Sequence, residues 1–256
     1  MGRRAGPQIR SFFKRLSTGK AALTLAIAVL LSGRLDWAQT PPAATFPEAD
    51  QTLEAVWASI RAEQARFQEV PAPQLKEWVK RRLAHLYTVE QKALGEYIKP
   101  RPAAWDPAEK EYYTRKLAAR IIALEDADTA ELKEFLKRYR WFTVSEFGAE
   151  TDTHAWVIVQ HSDRDPAFQR EVLAILGTLY ASGETSVSNY ANLYDRVEMN
   201  AGKPQRYGTQ GNCAGPGQWV PYEIADPAGL DERRKSLGLS TMAEYLQRSK
   251  DKKYCP

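Results

Sequence analysis

The sequence contains few cysteines and histidines, the residues that bind metal clusters through thiolates or imidazoles and that take part in many catalytic nucleophile sites. It has two cysteines and three histidines among 256 residues. It also lacks a Gly-x-Ser-x-Gly motif, which argues against an α/β-hydrolase nucleophile. Its apolar run at residues 21–31 is about half the length of roughly 20 residues that a membrane-spanning helix needs. The sequence therefore predicts neither a zinc-cysteine module nor a transmembrane protein.

Residues 1–39 have the layout of a secretory signal peptide. Basic residues without acids precede the apolar run, and small or polar residues follow it. We expect this segment to be removed on export to the periplasm or the exterior, which leaves no membrane span. An N-terminal membrane anchor is the alternative.

The positive charge of the chain is concentrated in this signal segment. Its removal takes away seven of the 36 basic residues and one of the 32 acidic residues, which leaves a formal net charge of −2. No basic excess remains to bind a phosphate backbone, so nucleic acid is excluded as a predicted partner. Cys213 and Cys255 both lie in the exported part, where a disulfide between them is predicted, with two unpaired thiols as the alternative.

The remaining chain divides into three predicted parts. A proline-rich tether covers residues 40–49, N-terminal helices cover residues 50–128, and a motif-bearing helical domain with a hairpin covers residues 129–256. We expect residues 50–256 to pack as one unit. Apolar residues at three-and-four spacing predict the helices, and four aspartates are predicted N-caps, namely Asp50, Asp106, Asp128 and Asp165.

The secondary structure of two segments is less clear from local sequence signals. Residues 149–161 are rich in β-formers, but their polar start and their length favour a buried helix. Residues 205–210 and 218–224 are predicted to form an irregular hairpin, since glycines lie between them and Pro221 is tolerated at a sheet edge. The predicted fold is therefore mainly α, a multi-helix domain with one small irregular β-hairpin near the C-terminus.

The candidate site residues lie on both sides of the last long helix. His161 is the candidate general base, oriented by Asp163 or by Asp195, the second candidate catalytic residue. An oxygen-rich or anionic group would be bound by Arg196, Gln205, Tyr207, Thr209 and Gln210. The alternative is a buried polar network in which these groups only satisfy one another. Helical periodicity alone places Asp195 and Arg196 away from the apolar stripe and predicts that they are solvated. They join a site only if the returning hairpin or another element covers that helix.

Metal binding has little support from the spacing of the histidines. His154 and His161 are seven residues apart, about 10.5 Å along a helix, too far to share one ion. A mononuclear site would need His161, Asp163 and a distant carboxylate. We assign no metal and no cofactor from the sequence.

Five motifs stand out in the C-terminal half: Trp141; Gln160-His161-x-Asp163-x-Asp165-Pro166-x-Phe168-Gln169; Tyr190-Ala191-x-Leu193-x-Asp195-Arg196-Val197; Gly202-x-x-Gln205-x-Tyr207-Gly208-Thr209-Gln210; and Asp231-x-x-Arg234-x-x-x-Gly238-Leu239. Together they resemble a bacterial domain family of unknown function over about residues 130–248, and a wider match that includes the preceding helices is the alternative. The resemblance implies that the polar residues belong together and that the host is bacterial, but it implies no activity.

Two functional hypotheses follow, and whether the protein is an enzyme stays open between them. The first is a polar binding or acid-base, hydrolase-like site around His161 and residues 205–210, acting on a polar small molecule or an envelope polymer. The second is a non-catalytic envelope interaction module in which the polar motif residues are structural.

Overall fold

The computed structural model describes residues 45–251 and residue 255. The predicted signal peptide and the first part of the tether lie outside the described residues. Within them the chain forms nine α-helices, two single 3-10 turns and one two-stranded sheet. This confirms the predicted fold class. The helices are α1 (Pro47–Gln64), α2 (Lys76–Tyr97), α3 (Pro107–Tyr139), α4 (Val144–Phe147), α5 (Ala149–His161), α6 (Pro166–Leu179), α7 (Val187–Asn200), α8 (Leu230–Ser236) and α9 (Met242–Asp251).

Most helix boundaries agree with local sequence signals. The Asp106 side chain accepts a hydrogen bond from the Glu109 amide at 2.8 Å, and the Asp165 side chain accepts one from the Phe168 amide at 3.0 Å. Both are the predicted N-caps, and a proline follows each at the first helical position. The helix predicted over residues 149–161 is also confirmed. The first helix differs, because α1 begins at Pro47 and contains Asp50 in its first turn.

The predicted break at Asp128 is wrong, because α3 is a single helix of 33 residues. Asp128 lies in its middle and is buried. The sequence has a good capping pattern there, but buried apolar residues continue on both sides of it, from Ile121 to Leu132. Packing of this uninterrupted stripe against α2 and α5 keeps the helix intact, since tertiary contacts override local capping preference.

Two apolar clusters form the core, and α2 and α3 contribute to both. The N-terminal cluster joins α1 to the second half of α2 and the first half of α3. The central cluster joins the first half of α2 and the second half of α3 to α5, α6 and α7. The middle turns of α2 and α3 therefore lie at the boundary between the clusters. We call this boundary the junction.

The hairpin is present, but its first strand lies later than predicted. Strands β1 (Gly211–Gly215) and β2 (Gln218–Pro221) pair antiparallel, while residues 205–210 form a loop with a single bridge from Gln205 to Ile224. The side-chain amide of Gln205 explains the difference. It donates to the Gln210 and Tyr222 carbonyls and accepts from the Gln210 amide, so a side chain replaces the ladder bonds of a strand.

The C-terminal end is fastened to this hairpin. A disulfide joins Cys213 to Cys255, as predicted, with the two Cα atoms 5.5 Å apart. The Gly217 amide also donates to the Cys255 carbonyl at 2.8 Å. Of the helices in the described part of the chain, none combines the length and the apolar character that crossing a bilayer requires.

Candidate functional site

The predicted site residues fall into two groups in the structure. Asp195, Arg196 and the loop of residues 205–210 form one buried polar network. His161 lies outside it, because the hydrogen bonds and ion pairs that its side chain makes within the described residues go to Glu90 and Glu125. The structure therefore does not bring His161 into contact with Asp195, its predicted catalytic partner.

Asp195 holds the 205–210 loop on α7. Its carboxylate accepts from the backbone amides of Arg206, Tyr207 and Thr209 at 2.7–2.9 Å, and from the Thr209 hydroxyl at 2.8 Å. Burial raises the pKa of Asp195, and these four hydrogen bonds oppose that rise by stabilising the carboxylate. With both oxygens occupied by the loop, the geometry gives Asp195 a loop-fixing role.

Arg196 connects the same loop to the end of α5. Its guanidinium forms a two-pronged ion pair with Asp163, with Nε 2.7 Å from Oδ1. A third nitrogen donates to the Gln210 side chain at 3.2 Å. Asn200 also donates to Asp163, at 3.0 Å. Asp163 thus belongs with Arg196, whereas the sequence allowed it to orient His161.

The remaining predicted binding residues are buried within this network. Gln205, Tyr207, Thr209 and Gln210 are each less than one tenth exposed. The prediction that Asp195 and Arg196 are solvated is wrong, since both are buried. The reason is that the 205–210 loop returns over the polar side of α7, which helical periodicity cannot show.

His161 belongs to a second cluster, at the junction. Its Nδ1 is in hydrogen-bond contact with Oε1 of Glu90 and lies 3.9 Å from Oε1 of Glu125. One potential ligand atom from each of the three residues lies within 4.8 Å of the others. The side chains are only 8%, 1% and 11% exposed for His161, Glu90 and Glu125. We call this set the Glu-Glu-His cluster.

Three helices position this cluster. Glu90 continues the buried stripe of α2 that includes Leu83, Leu86 and Leu94, and Glu125 lies on the stripe of α3 that includes Ile121 and Leu132. His161 is the last residue of α5. Glu90 and Glu125 therefore occupy positions at which the helical spacing of each stripe predicts an apolar residue.

The cluster places two acidic side chains and one imidazole together in a buried place. If both carboxyl groups are ionised, a protonated His161 balances only one of them. Burying net charge is costly unless a further positive group compensates it. A divalent cation would balance the two carboxylates, since an imidazole that coordinates a metal is neutral. Its bonds of about 2.0–2.2 Å to nitrogen and oxygen place two ligands on one ion up to about 4.4 Å apart. The 3.9 Å separation between His161 and Glu125 fits that span.

His161 is recognisable as a candidate site residue from the sequence, but its two carboxylate partners are not. Glu90 is 71 residues away from His161, so no local motif connects them. A signal was nevertheless present, because Val79, Leu83, Leu86, Glu90 and Leu94 share one helical face. An acid on the apolar face of a long helix marks a buried charge that needs a partner.

The fold and the two polar clusters define a helical protein whose C-terminal loop is fastened over its last long helix. The chain belongs to DUF6624, a family of unknown function, which it matches over residues 79–255. This confirms the predicted resemblance and extends it to α2, so that Glu90, Glu125 and His161 all lie within the matched region. Searches of curated proteins and of solved structures found no match.

Proposed function

We propose that the protein is an exported divalent-metal-binding protein whose ion is held by Glu90, Glu125 and His161. The observation that carries the proposal is the approach of three potential ligand atoms, from three helices, to within 4.8 Å of one another. One imidazole and two carboxylates suit first-row ions such as Mn²⁺, Fe²⁺ and Zn²⁺. Three protein ligands leave positions open for water or substrate, which is the arrangement of catalytic rather than structural metal sites.

The 205–210 loop then has a supporting role. Asp195 and Gln205 fix the loop by accepting hydrogen bonds from its backbone amides, and Arg196 does so by donating to the Gln210 side chain. This supports the structural half of the second hypothesis, in which the polar motif residues form a network. A polar small molecule or an envelope component stays the proposed partner of the protein. The hydrolase-like chemistry of the first hypothesis is proposed for the Glu-Glu-His cluster.

Export is supported by the leader pattern of residues 1–39 and by the disulfide between Cys213 and Cys255, since disulfides persist in oxidising compartments. The test is expression of the full chain in a bacterial host, followed by fractionation and mass measurement. Export predicts a shortened chain in the periplasm or medium. A full-length chain in the cytoplasm, with reduced thiols, would contradict it.

The metal proposal is tested by titration of residues 40–256, prepared with the disulfide formed. After treatment with a chelator and its removal, Mn²⁺ and Zn²⁺ binding is measured by calorimetry, and retained metal by elemental analysis. We expect one ion per chain. We also expect a rise in melting temperature with metal concentration, because an ion that binds only the folded state stabilises it.

Two matched pairs of variants locate the site. Glu125→Gln and His161→Gln should weaken binding at least tenfold. Glu131→Gln and His154→Gln are the controls from the same helices, since Glu131 pairs with Arg82 and His154 stacks on Tyr87. No binding by the parent protein, or equal losses in test and control variants, would reject the proposal. Circular dichroism establishes that each variant is folded before titration.

A further inference from the structure

A third acid lies beside the Glu-Glu-His cluster without taking part in it. Asp128 follows Glu125 by three residues on α3, so the two side chains share a helix face with Cβ atoms about 5–6 Å apart. Asp128 is 4% exposed. It continues the stripe of Ile121, Glu125 and Leu132, which places it at the junction with the cluster.

One oxygen of Asp128 lacks a hydrogen bond. Its Oδ2 is buried and has no hydrogen-bond partner among the residues that the structure describes. Such an atom is uncommon in a folded core, where the great majority of buried polar atoms are paired. An unpaired acceptor one helical turn from Glu125, a potential metal ligand, is a position from which a metal-bound water could be held.

The charged neighbours of Asp128 do not supply the missing partner. Arg82 on α2 is the nearby cation, but its guanidinium binds Glu131 through two nitrogens, each 2.7 Å from an oxygen. Burial raises the pKa of Asp128 to about 7, the Glu131 charge adds to the rise, and Arg82 opposes it. Next to Asp128, Thr129 contacts Ser162, the residue that follows α5, with their hydroxyls 2.8 Å apart.

We propose that Asp128 is a positioning residue that accepts a hydrogen bond from a water molecule coordinated to the metal ion of the Glu-Glu-His cluster. This inference rests on the proposed metal site. An ion with three protein ligands completes its coordination with water. Mutation of a residue that hydrogen-bonds to a metal ligand, without itself touching the metal, typically lowers metal affinity by 10–100-fold. The unpaired Oδ2 then has a partner whenever the metal is bound.

Asp128→Leu is the decisive variant, because it replaces both carboxylate oxygens by methyl groups and keeps the branched shape at Cγ. We expect Mn²⁺ affinity to fall 10–100-fold, while the melting temperature of the metal-free protein stays the same or rises. A merely structural Asp128 predicts the reverse, a lower melting temperature with unchanged affinity. Asp128→Asn keeps one acceptor oxygen and should bind Mn²⁺ more tightly than the leucine variant. Water-proton relaxation by bound Mn²⁺ should change in both variants, since it depends on the coordinated water.

The outcomes separate this inference from the proposed function. If the parent protein binds no metal, both fail. If Glu125→Gln weakens binding as expected but both folded Asp128 variants bind Mn²⁺ within threefold of the parent, only the role of Asp128 is overturned. If the leucine variant does not fold, Asp128→Asn decides, and an unchanged affinity in that variant rejects the inference.

Discussion

The role of Asp195 can be tested by its effect on stability. Asp195→Asn keeps the shape of the side chain but turns one acceptor oxygen into an NH₂ group. Both Thr209 groups, the amide and the hydroxyl, donate to Oδ2. If the NH₂ takes that position, the hydroxyl can rotate to accept from it, but the amide then has no acceptor.

The expected loss follows from these contacts. A buried donor without a partner costs about 1–3 kcal/mol, and hydrogen bonds to a charged group are worth about 1.5–3 kcal/mol against 0.5–1.5 for neutral ones. Burial of the Asp195 charge is itself unfavourable, which is why burial raises the pKa of Asp195. Removal of that charge in the asparagine variant offsets part of the loss in stability. We expect a net loss of about 2–4 kcal/mol, a large fraction of the 5–15 kcal/mol typical of a domain.

Urea unfolding monitored by circular dichroism measures this loss. Glu198→Gln is the matched control on the same helix, because its ion pair with the exposed Lys203 spans 3.6 Å and such pairs contribute about 0–1 kcal/mol. Thr209→Val removes the two hydrogen bonds of the hydroxyl, one donated to Asp195 and one accepted from Gln210, and should cost about 1–2 kcal/mol. An Asp195→Asn protein within 0.5 kcal/mol of the parent would refute the idea that Asp195 fixes the loop.

Two further predictions concern pH and redox state. Because the folded protein holds the Asp128 proton more tightly than the unfolded chain, the stability that this proton confers is complete below about pH 4. It is lost as the pH rises through about 7. A pKa change from 3.8 to about 7 corresponds to up to about 4 kcal/mol, so metal-free Asp128→Asn should lose less stability than the parent between pH 4.5 and 8. Parallel curves would contradict this. The Cys213–Cys255 disulfide closes a separation of 42 residues, for which chain entropy predicts about 4 kcal/mol. The double serine variant should therefore unfold at lower urea than the oxidised parent and match the reduced parent, and equal midpoints for oxidised parent and variant would contradict the estimate.

Local signals in the sequence predicted the helices well, and they failed where tertiary contacts decide. Asp106 and Asp165 cap helices because a proline follows each and the capping bond is made within three residues. Asp128 carries a similar capping pattern, but apolar packing on both sides keeps α3 continuous. The same sequence pattern therefore begins a helix at two positions and lies inside a helix at the third. Contacts of α3 with α2 and α5 determine the third outcome.

The candidate site shows the same limit. His161 was recognisable as an unusual residue at the end of a helix, but its partners come from two other helices. The loop of residues 205–210 was recognised as a polar unit, yet its relation to α7 depends on how the chain returns after Gly202. Periodicity describes each helix by itself, so it placed Asp195 in solvent although the loop covers it.

The position of the junction has a consequence for folding. Its residues on α2, α3 and α5 are remote in the chain, and Glu90 and His161 are 71 residues apart. Contacts of this separation carry a high loop-closure entropy, so they are expected late in folding rather than in an early local intermediate. The unfolded chain then offers no preformed site. If the cluster binds Mn²⁺ as proposed, a folding experiment with Mn²⁺ present would record metal uptake only when the two halves of the core have come together. Metal uptake would then be a probe of the last step of assembly.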